Sequence, residues 1–197
     1  MSCFVQYSKF FFFSFSNALE DAQVAVEFLR DPSNVKKYRI DPKRIVLIGH
    51  SMGGFIAAYT AAHDPEVSAL CMIAAWNIGP TVVRAADNGR ADSFKNSSPR
   101  LAGTTPEGLM AEAKANAAKW NYVDYAGLLK ARPVLIMEAN DRNKDDNHAM
   151  AEALRKAGNT HVEERYLETD HSFSDRRIAL QAAILEWLQS LPAPAGK

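Results

Sequence analysis

Short runs of apolar residues alternate along the chain with segments in which apolar residues recur every three or four positions. Continuous apolar runs are typical of strands covered on both faces, and the 3.6-residue recurrence is typical of helices packed on a sheet. The pattern predicts strands at 45–48, 67–75, 134–137 and 162–167, and helices at 17–30, 53–62, 107–119, 147–156 and 174–190. This alternation predicts an α/β fold with a mostly parallel sheet flanked by helices.

Three details of the pattern carry expectations about local structure. The strand at 45–48 is apolar at every position, so both of its faces are expected to be covered. The strand at 162–167 alternates apolar and polar residues, as an edge strand would. Asn17 is expected to cap the first helix, because Glu20 stands three positions later.

Two segments depart from the alternation. Residues 1–16 form an unusually aromatic stretch with four consecutive phenylalanines, and we interpret it as a buried strand, with a mobile terminus as the alternative. A signal peptide is not expected, because the apolar stretch is short and lacks a small-residue cleavage site. Residues 77–127 are polar and loop-like apart from the helix at 107–119, and this length favours a cap or lid inserted between core strands.

Length and composition indicate one globular domain over residues 1–197. The 23 basic and 23 acidic residues balance, so no positive excess indicates nucleic acid or an anionic membrane surface as a partner. Cys3 and Cys71 lie far apart and do not form a disulfide framework. No segment has the length of a membrane span, and a cytoplasmic location is expected by default.

The segment Gly49-His50-Ser51-Met52-Gly53 stands between a predicted strand and a predicted helix. Strand, sharp turn and helix is the context in which a Gly-x-Ser-x-Gly motif presents serine as a nucleophile. The turn is expected to be strained. A side chain at position 49 or 53 would be expected to collide with its surroundings, which explains the glycine at both positions. An incidental serine in a glycine-rich turn is the alternative interpretation.

Ser51, Asp141 and His171 each follow a predicted strand. Because reactive groups collect at the carboxyl ends of strands in this fold class, the three side chains are expected to meet. An imidazole can take the serine proton near neutral pH, and a carboxylate can hold the imidazole in the required tautomer. The chain order serine, acid, histidine is that of the α/β-hydrolases.

Each assignment has competitors in the sequence. Asp145 and Asp146 are expected to lie at the start of the helix at 147, where acidic residues are favoured. His50 is fixed beside the serine and cannot easily turn back to it. The competitors of Asp141 are Asp145, Asp146 and Glu138, and those of His171 are His50, His63, His148 and His161. No pair of histidines has ligand spacing with a carboxylate or cysteine, so no metal site is expected.

Segments 48–54, 133–141 and 170–173 resemble the nucleophile, acid and histidine segments of the α/β-hydrolase superfamily. The stretch at 40–45 is similar to that of dienelactone-hydrolase-like and prolyl-oligopeptidase-like members. The resemblance implies a serine hydrolase that cleaves a small-molecule carboxylic ester, or a related acyl bond, through an acyl-enzyme intermediate and without a cofactor. A prolyl-oligopeptidase-type peptidase, a thioesterase, a lactonase, a haloperoxidase-like enzyme or an acyltransferase would use the same groups.

The backbone N–H of Met52 is expected to be one donor to the oxyanion. The resemblance implies a second donor from a loop after an earlier strand, and the sequence contains no such segment. Family members place several strands before the nucleophile strand, whereas fewer than fifty residues precede Gly49 here. The chain is therefore interpreted as an amino-terminally truncated hydrolase whose exposed sheet edge favours self-association. A catalytically silent scaffold that binds a small molecule or a partner is the alternative from another class.

Aromatic residues near predicted strand ends or in the predicted cap are candidates for an apolar acyl pocket. Ordinary core packing is the alternative for each of them. The candidates are Trp76, Trp120, Tyr122 and Phe173, together with Met52.

Overall fold

The structure is a computed structural model that describes residues 12–87, 101 and 103–192. Most of the aromatic segment at 1–16 lies outside the described residues. The chain divides into two compact units. Unit 1 comprises the described residues of Met1–Ala25 and Ile78–Asn121, and unit 2 comprises those of Val26–Asn77 and Tyr122–Lys197. Unit 1 therefore contains much of the segment predicted as a cap.

Unit 2 contains a sheet of four parallel strands in the order β1-β2-β3-β4. The strands are β1 (Val46–His50), β2 (Ala69–Ile73), β3 (Val134–Glu138) and β4 (Val162–Tyr166). His50 lies opposite Ile73, and Glu138 lies opposite Tyr166, so the carboxyl ends of the strands align at one end of the sheet. The predicted parallel α/β sheet is confirmed.

The helices predicted at 53–62, 147–156 and 174–190 are present, and none of their ends is shifted by more than three residues. The helices are α1 (Phe15–Arg30), α2 (Pro32–Tyr38), α3 (Met52–His63), α4 (Ile78–Asp87), α5 (Pro106–Ala115), α6 (Ala126–Leu129), α7 (Lys144–Lys156) and α8 (Arg177–Ser190), with a 3₁₀ helix at Tyr122–Tyr125. Within the described part of the chain, no helix is long and apolar enough to cross a membrane.

Helices α2 and α4 were not predicted. Asp31 and Pro32 were interpreted only as the end of α1, but Pro32 also opens α2, and the Asp31 carboxylate accepts hydrogen bonds from the N–H groups of Ser33 and Asn34. A proline at the first helical position and an aspartate before it favour a helix start. Helix α4 lies in the segment interpreted as loop-like, and Val82 on this helix is fully buried.

The start of α1 differs from the prediction. Phe15, assigned to a strand by its aromatic neighbours, begins the helix, and Asn17 lies inside it rather than capping it. The Ser14 hydroxyl accepts the N–H of Asn17 at 3.0 Å, and the Glu112 carboxylate accepts the N–H groups of Phe15 and Ser16 at 2.9 and 2.8 Å. The carboxylate that caps this helix comes from α5, which local sequence does not reveal.

Both faces of the central strands are covered by helices. Alternate residues of β2 and β3 pack with Ala183 and Trp187 of α8 in one buried cluster. The remaining residues of these strands point to the opposite face, on which α3 and α7 pack, and Leu70, Met72 and Ile136 there are fully buried.

Strand β1 is less covered than its sequence predicted. Among the described strands it pairs only with β2, so it lies at one edge of the sheet, and Ile48 is 45% exposed. The expectation that both faces of β1 are buried is therefore wrong in this structure, because an edge strand lacks a neighbour on one side. Strand β4 lies at the opposite edge, as its alternating sequence predicted.

We expect Trp187→Ala to lower the free energy of unfolding by about 3–5 kcal/mol, because it empties a large volume in the α8 cluster. Ile178 on the same helix is 84% exposed, and Ile178→Ala is expected to change stability by less than about 0.5 kcal/mol. Urea unfolding followed by circular dichroism measures both. Equal losses in the two variants would contradict the proposed role of α8 in the core.

Candidate active site

Ser51 occupies a strained turn between β1 and α3. Its φ of 56° and ψ of −118° lie in a region that L-residues rarely adopt, at a cost of about 1–3 kcal/mol. The Ser51 N–H donates to the carbonyl of Ile73 at 2.9 Å, and the Ser51 carbonyl accepts the N–H of Trp76 at 2.9 Å. The turn is therefore held by the backbone at the end of β2.

Two glycines are required by the space around this turn. A Cβ on Gly49 would lie 2.0 Å from the carbonyl oxygen of Gly53, and a Cβ on Gly54 would lie 2.6 Å from the Cβ of Ala75. A Cβ on Gly53 would meet no atom within 4 Å. The expectation for Gly49 is confirmed, but the expectation for Gly53 is wrong, because the close neighbour after the serine is Ala75 beyond β2, which faces Gly54.

The structure brings Ser51, Asp141 and His171 together. Nε2 of His171 lies 2.9 Å from Oγ of Ser51, and Nδ1 of His171 lies 2.5 Å from Oδ2 of Asp141. The Asp141 side chain is 8% exposed and that of His171 is 38% exposed. This series of hydrogen bonds can move a proton from the hydroxyl to the imidazole while the carboxylate stabilises the imidazolium.

Two buried asparagines near Asp141 were not identified from the sequence: Asn143, which bonds Asp141, and Asn147, which bonds the carbonyl of Asn143. The second carboxylate oxygen of Asp141 accepts the N–H of Asn143 at 2.8 Å, and Nδ2 of Asn143 donates to the carbonyl of Ala74 at 3.1 Å. The Asn147 amide accepts the N–H of Ala75 at 3.2 Å and donates to the carbonyl of Ala75 at 3.0 Å. Both lie in a polar segment at the start of a helix, which is typical of exposed positions. The signal in the sequence was their four-residue spacing, which places them on the same face of a helix.

The competing histidines have other partners. The Nε2 of His50 lies 2.7 Å from the backbone carbonyl of His171 and therefore carries the hydrogen, and the two rings lie 4.7 Å apart. His63 bonds the carbonyl of Tyr59, His148 bonds Glu164, and His161 is exposed. Within the described part of the chain, His171 is the histidine that hydrogen-bonds Ser51.

The competing acids lie elsewhere as well. Asp145 and Asp146 are in the first turn of α7, where the sequence analysis expected them. Glu138 is buried at the end of β3 and lies near Glu164 rather than His171. The partner of His171 is therefore Asp141.

Met52 is the first residue of α3. The N–H groups of the first helical turn have no acceptor within the helix, and the helix dipole places partial positive charge there. The N–H of Met52 belongs to this first turn and directly follows Ser51 in the chain.

The aromatic pocket candidates are largely buried. Tyr122, Phe173 and Trp120 are 0%, 1% and 3% exposed. Tyr122 donates its hydroxyl to the carbonyl of Ala75 at 3.2 Å, and Phe173 belongs to the α8 cluster. Trp120 lies in unit 1 and packs edge-on against Phe15, with ring centroids 5.8 Å apart. These three present almost no surface to a ligand, whereas Trp76 and Met52 are partly exposed.

A family model described as alpha/beta hydrolase fold matches residues 3–175. No curated protein matches the sequence.

Solved structures share the fold at low sequence identity. An esterase of Pyrococcus furiosus is 17% identical with a TM-score of 0.59, and the alignment covers 87% of this chain and 60% of that one. A putative dienelactone hydrolase of Klebsiella pneumoniae is 19% identical with a TM-score of 0.54, over 90% and 62% of the two chains. An acylaminoacyl peptidase of Pyrococcus horikoshii is 16% identical with a TM-score of 0.61, over 87% and 27%. The chain thus spans about three-fifths of the length of the esterase.

The glycines of the turn allow a matched comparison. We expect Gly54→Ala to destabilise the protein by about 1–3 kcal/mol, because its Cβ would overlap that of Ala75. Gly53→Ala is expected to be neutral or up to about 1 kcal/mol stabilising, since the site is open and alanine favours the helix. Urea unfolding of the two variants measures the change in stability. A larger loss of stability in Gly53→Ala than in Gly54→Ala would contradict the close approach of Gly54 to Ala75.

Proposed function

Because the chain belongs to the alpha/beta hydrolase fold family, we propose that it is a serine hydrolase that cleaves a carboxylic ester through an acyl-enzyme intermediate. The observation that carries this proposal is the hydrogen-bonded series from Ser51 through His171 to Asp141. A strained serine beside a base, with the base oriented by a carboxylate, is the arrangement that activates a hydroxyl nucleophile.

The proposed reaction has two steps. The Ser51 oxygen attacks the acyl carbon while Nε2 of His171 takes its proton, and the alcohol leaves with that proton as the acyl-enzyme forms. A water molecule then attacks the acyl-enzyme, with His171 again as base, and releases the acid and free Ser51. Asp141 holds Nδ1 of His171 throughout, while the N–H of Asn143 holds the second oxygen of Asp141.

The negative oxygen of the tetrahedral intermediate requires hydrogen-bond donors. We assign the N–H of Met52 as one donor, because α3 begins there and the serine precedes it directly. Each such donor contributes about 2.7–4 kcal/mol to transition-state stabilisation.

The residues close to the serine support an ester as the substrate. Met52 and Trp76 are partly exposed, and the backbone N–H of Trp76 bonds the Ser51 carbonyl, so both residues lie close to the nucleophile. The apolar character of these two residues supports the acyl group of a small, uncharged ester rather than a charged substrate. A peptidase or thioesterase would use the same three residues, and substrate profiling separates these activities from ester cleavage.

We also propose that copies of the chain associate through β1. This strand lies at an edge of the described sheet, and its Ile48 is 45% exposed. An edge strand with an exposed apolar side chain can pair with a strand of another copy.

Light scattering coupled to size exclusion tests the association. We expect a mass above the 21.8 kDa of one chain at high concentration, and a return to that mass in Ile48→Lys, because charge disfavours edge pairing. Leu185→Lys on α8 is the control, since Leu185 is also exposed, at 58%, but lies on a helix rather than on an edge strand. A wild-type mass of one chain would contradict the association.

Labelling by a fluorophosphonate tests the nucleophile. We expect a single adduct on Ser51, no adduct in Ser51→Ala, and a labelling rate reduced by up to about 10⁴-fold in Asp141→Asn, which loses the carboxylate that orients His171. The controls are Asp145→Asn and His161→Gln, which remove the same groups at exposed positions outside the site. Peptide mapping by mass spectrometry locates the adduct.

The outcome that contradicts the proposal is a wild-type chain that is folded by circular dichroism and remains unlabelled. That result would favour a silent scaffold. Labelling that Asp141→Asn leaves unchanged would instead remove Asp141 from the proposed mechanism.

A further inference from the structure

Glu138, His148 and Glu164 each offer one metal-ligand atom, and these atoms all lie within 4.8 Å of one another. The residues belong to β3, α7 and β4. Ile136 lies opposite Glu164 in the parallel register, so Glu138, two residues further along β3, points to the same face of the sheet. Helix α7 packs on that face and carries His148.

The buried carboxylate of Glu138 has one oxygen that accepts no hydrogen bond from the described residues. It is 4% exposed, and none of the described residues donates an N–H or O–H group to its buried Oε1. Burial and the nearby carboxylate of Glu164 raise the pKa of Glu138 to about 7, although His148 and Lys144 act in the opposite direction. A further positive charge between the two carboxyl groups would offset both the burial of Glu138 and the repulsion between them.

The other two residues leave a way in from solvent. Nδ1 of His148 lies 2.6 Å from Oε1 of Glu164, and an Arg155 nitrogen lies 2.8 Å from Oε2 of Glu164. Burial acts to raise the pKa of Glu164, but the hydrogen bonds from His148 and Arg155 outweigh it and keep the pKa below its usual value. The His148 side chain is 59% exposed and that of Glu164 is 15% exposed, so the cluster borders solvent on the His148 side.

We propose that Glu138, His148 and Glu164 form a binding site for a divalent cation of the zinc type. One imidazole nitrogen and two carboxylate oxygens are ligands that suit Zn²⁺, whereas Mg²⁺ and Ca²⁺ prefer oxygen alone. His148 would turn its Nδ1 from Glu164 to the ion, and Arg155 would continue to orient Glu164. The ion would join β3, β4 and α7 and is independent of the proposed hydrolase function.

Calorimetric titration of the EDTA-treated chain with Zn²⁺ tests this site, with Mg²⁺ as the comparison ion. We expect one equivalent of Zn²⁺ at this cluster and a fall in affinity of about tenfold or more in His148→Gln and Glu138→Gln. The controls are His161→Gln, another exposed histidine of the sheet region, and Glu163→Gln, the neighbour of Glu164 that pairs with Arg165. Both are expected to bind Zn²⁺ as the wild type does.

The same titration is repeated in His171→Gln, because Zn²⁺ can also coordinate His171 and Asp141. Binding that persists in His171→Gln and falls in His148→Gln supports the cluster. Binding that is absent, or that falls only in His171→Gln, overturns the proposal. His148 is exposed, so His148→Gln tests the site even where Glu138→Gln impairs folding.

Discussion

The hydrogen bonds between the turn at Ser51 and the end of β2 fix the geometry on which the candidate site depends. The Ser51 N–H and carbonyl both bond backbone groups at this end of β2, and Gly54 lies too close to Ala75 to carry a side chain. A positive φ at a serine costs about 1–3 kcal/mol, so it persists only where the surrounding structure fixes it. Parallel pairing of β1 with β2 provides that constraint.

The end of β2 also positions the acid. Asn143 joins Asp141 to the carbonyl of Ala74, and Asn147 bonds both backbone groups of Ala75. Ser51 and Asp141 are thus both held by the segment at 73–76, although they follow different strands. His171, which follows β4, is then placed by its two side-chain hydrogen bonds and by the bond from His50 to its carbonyl.

Glu138 and Asp141 show how its neighbours determine the surroundings of a carboxyl group. Glu138 is the last residue of β3, and Asp141 follows shortly after it. Asp141 is nearly buried, and both of its oxygens accept hydrogen bonds, one from His171 and one from Asn143. Glu138, three positions earlier, is also buried but lies beside a second carboxyl group. In the first arrangement neighbouring groups satisfy both carboxyl oxygens, whereas the second leaves two carboxyl groups close together in a buried place.

The sequence by itself determined the α/β class, the parallel sheet and the three residues that meet at its carboxyl end. These follow from local pattern, because apolar periodicity distinguishes strand from helix and each of Ser51, Asp141 and His171 lies within five residues after the end of a strand. The prediction extended to Gly49, which faces the backbone of its own turn.

Only the tertiary structure decided which residues at a distance complete these local features. Glu112 caps α1, Gly54 rather than Gly53 faces Ala75, Ile48 is exposed at the sheet edge, and Glu138 meets His148 and Glu164. Most of these features depend on contacts between segments that are separated in the chain. The exposure of Ile48 instead depends on the position of its strand at the edge of the described sheet. A local pattern records the preference of a segment, whereas its neighbours are set by the packing of the whole sheet and its helices.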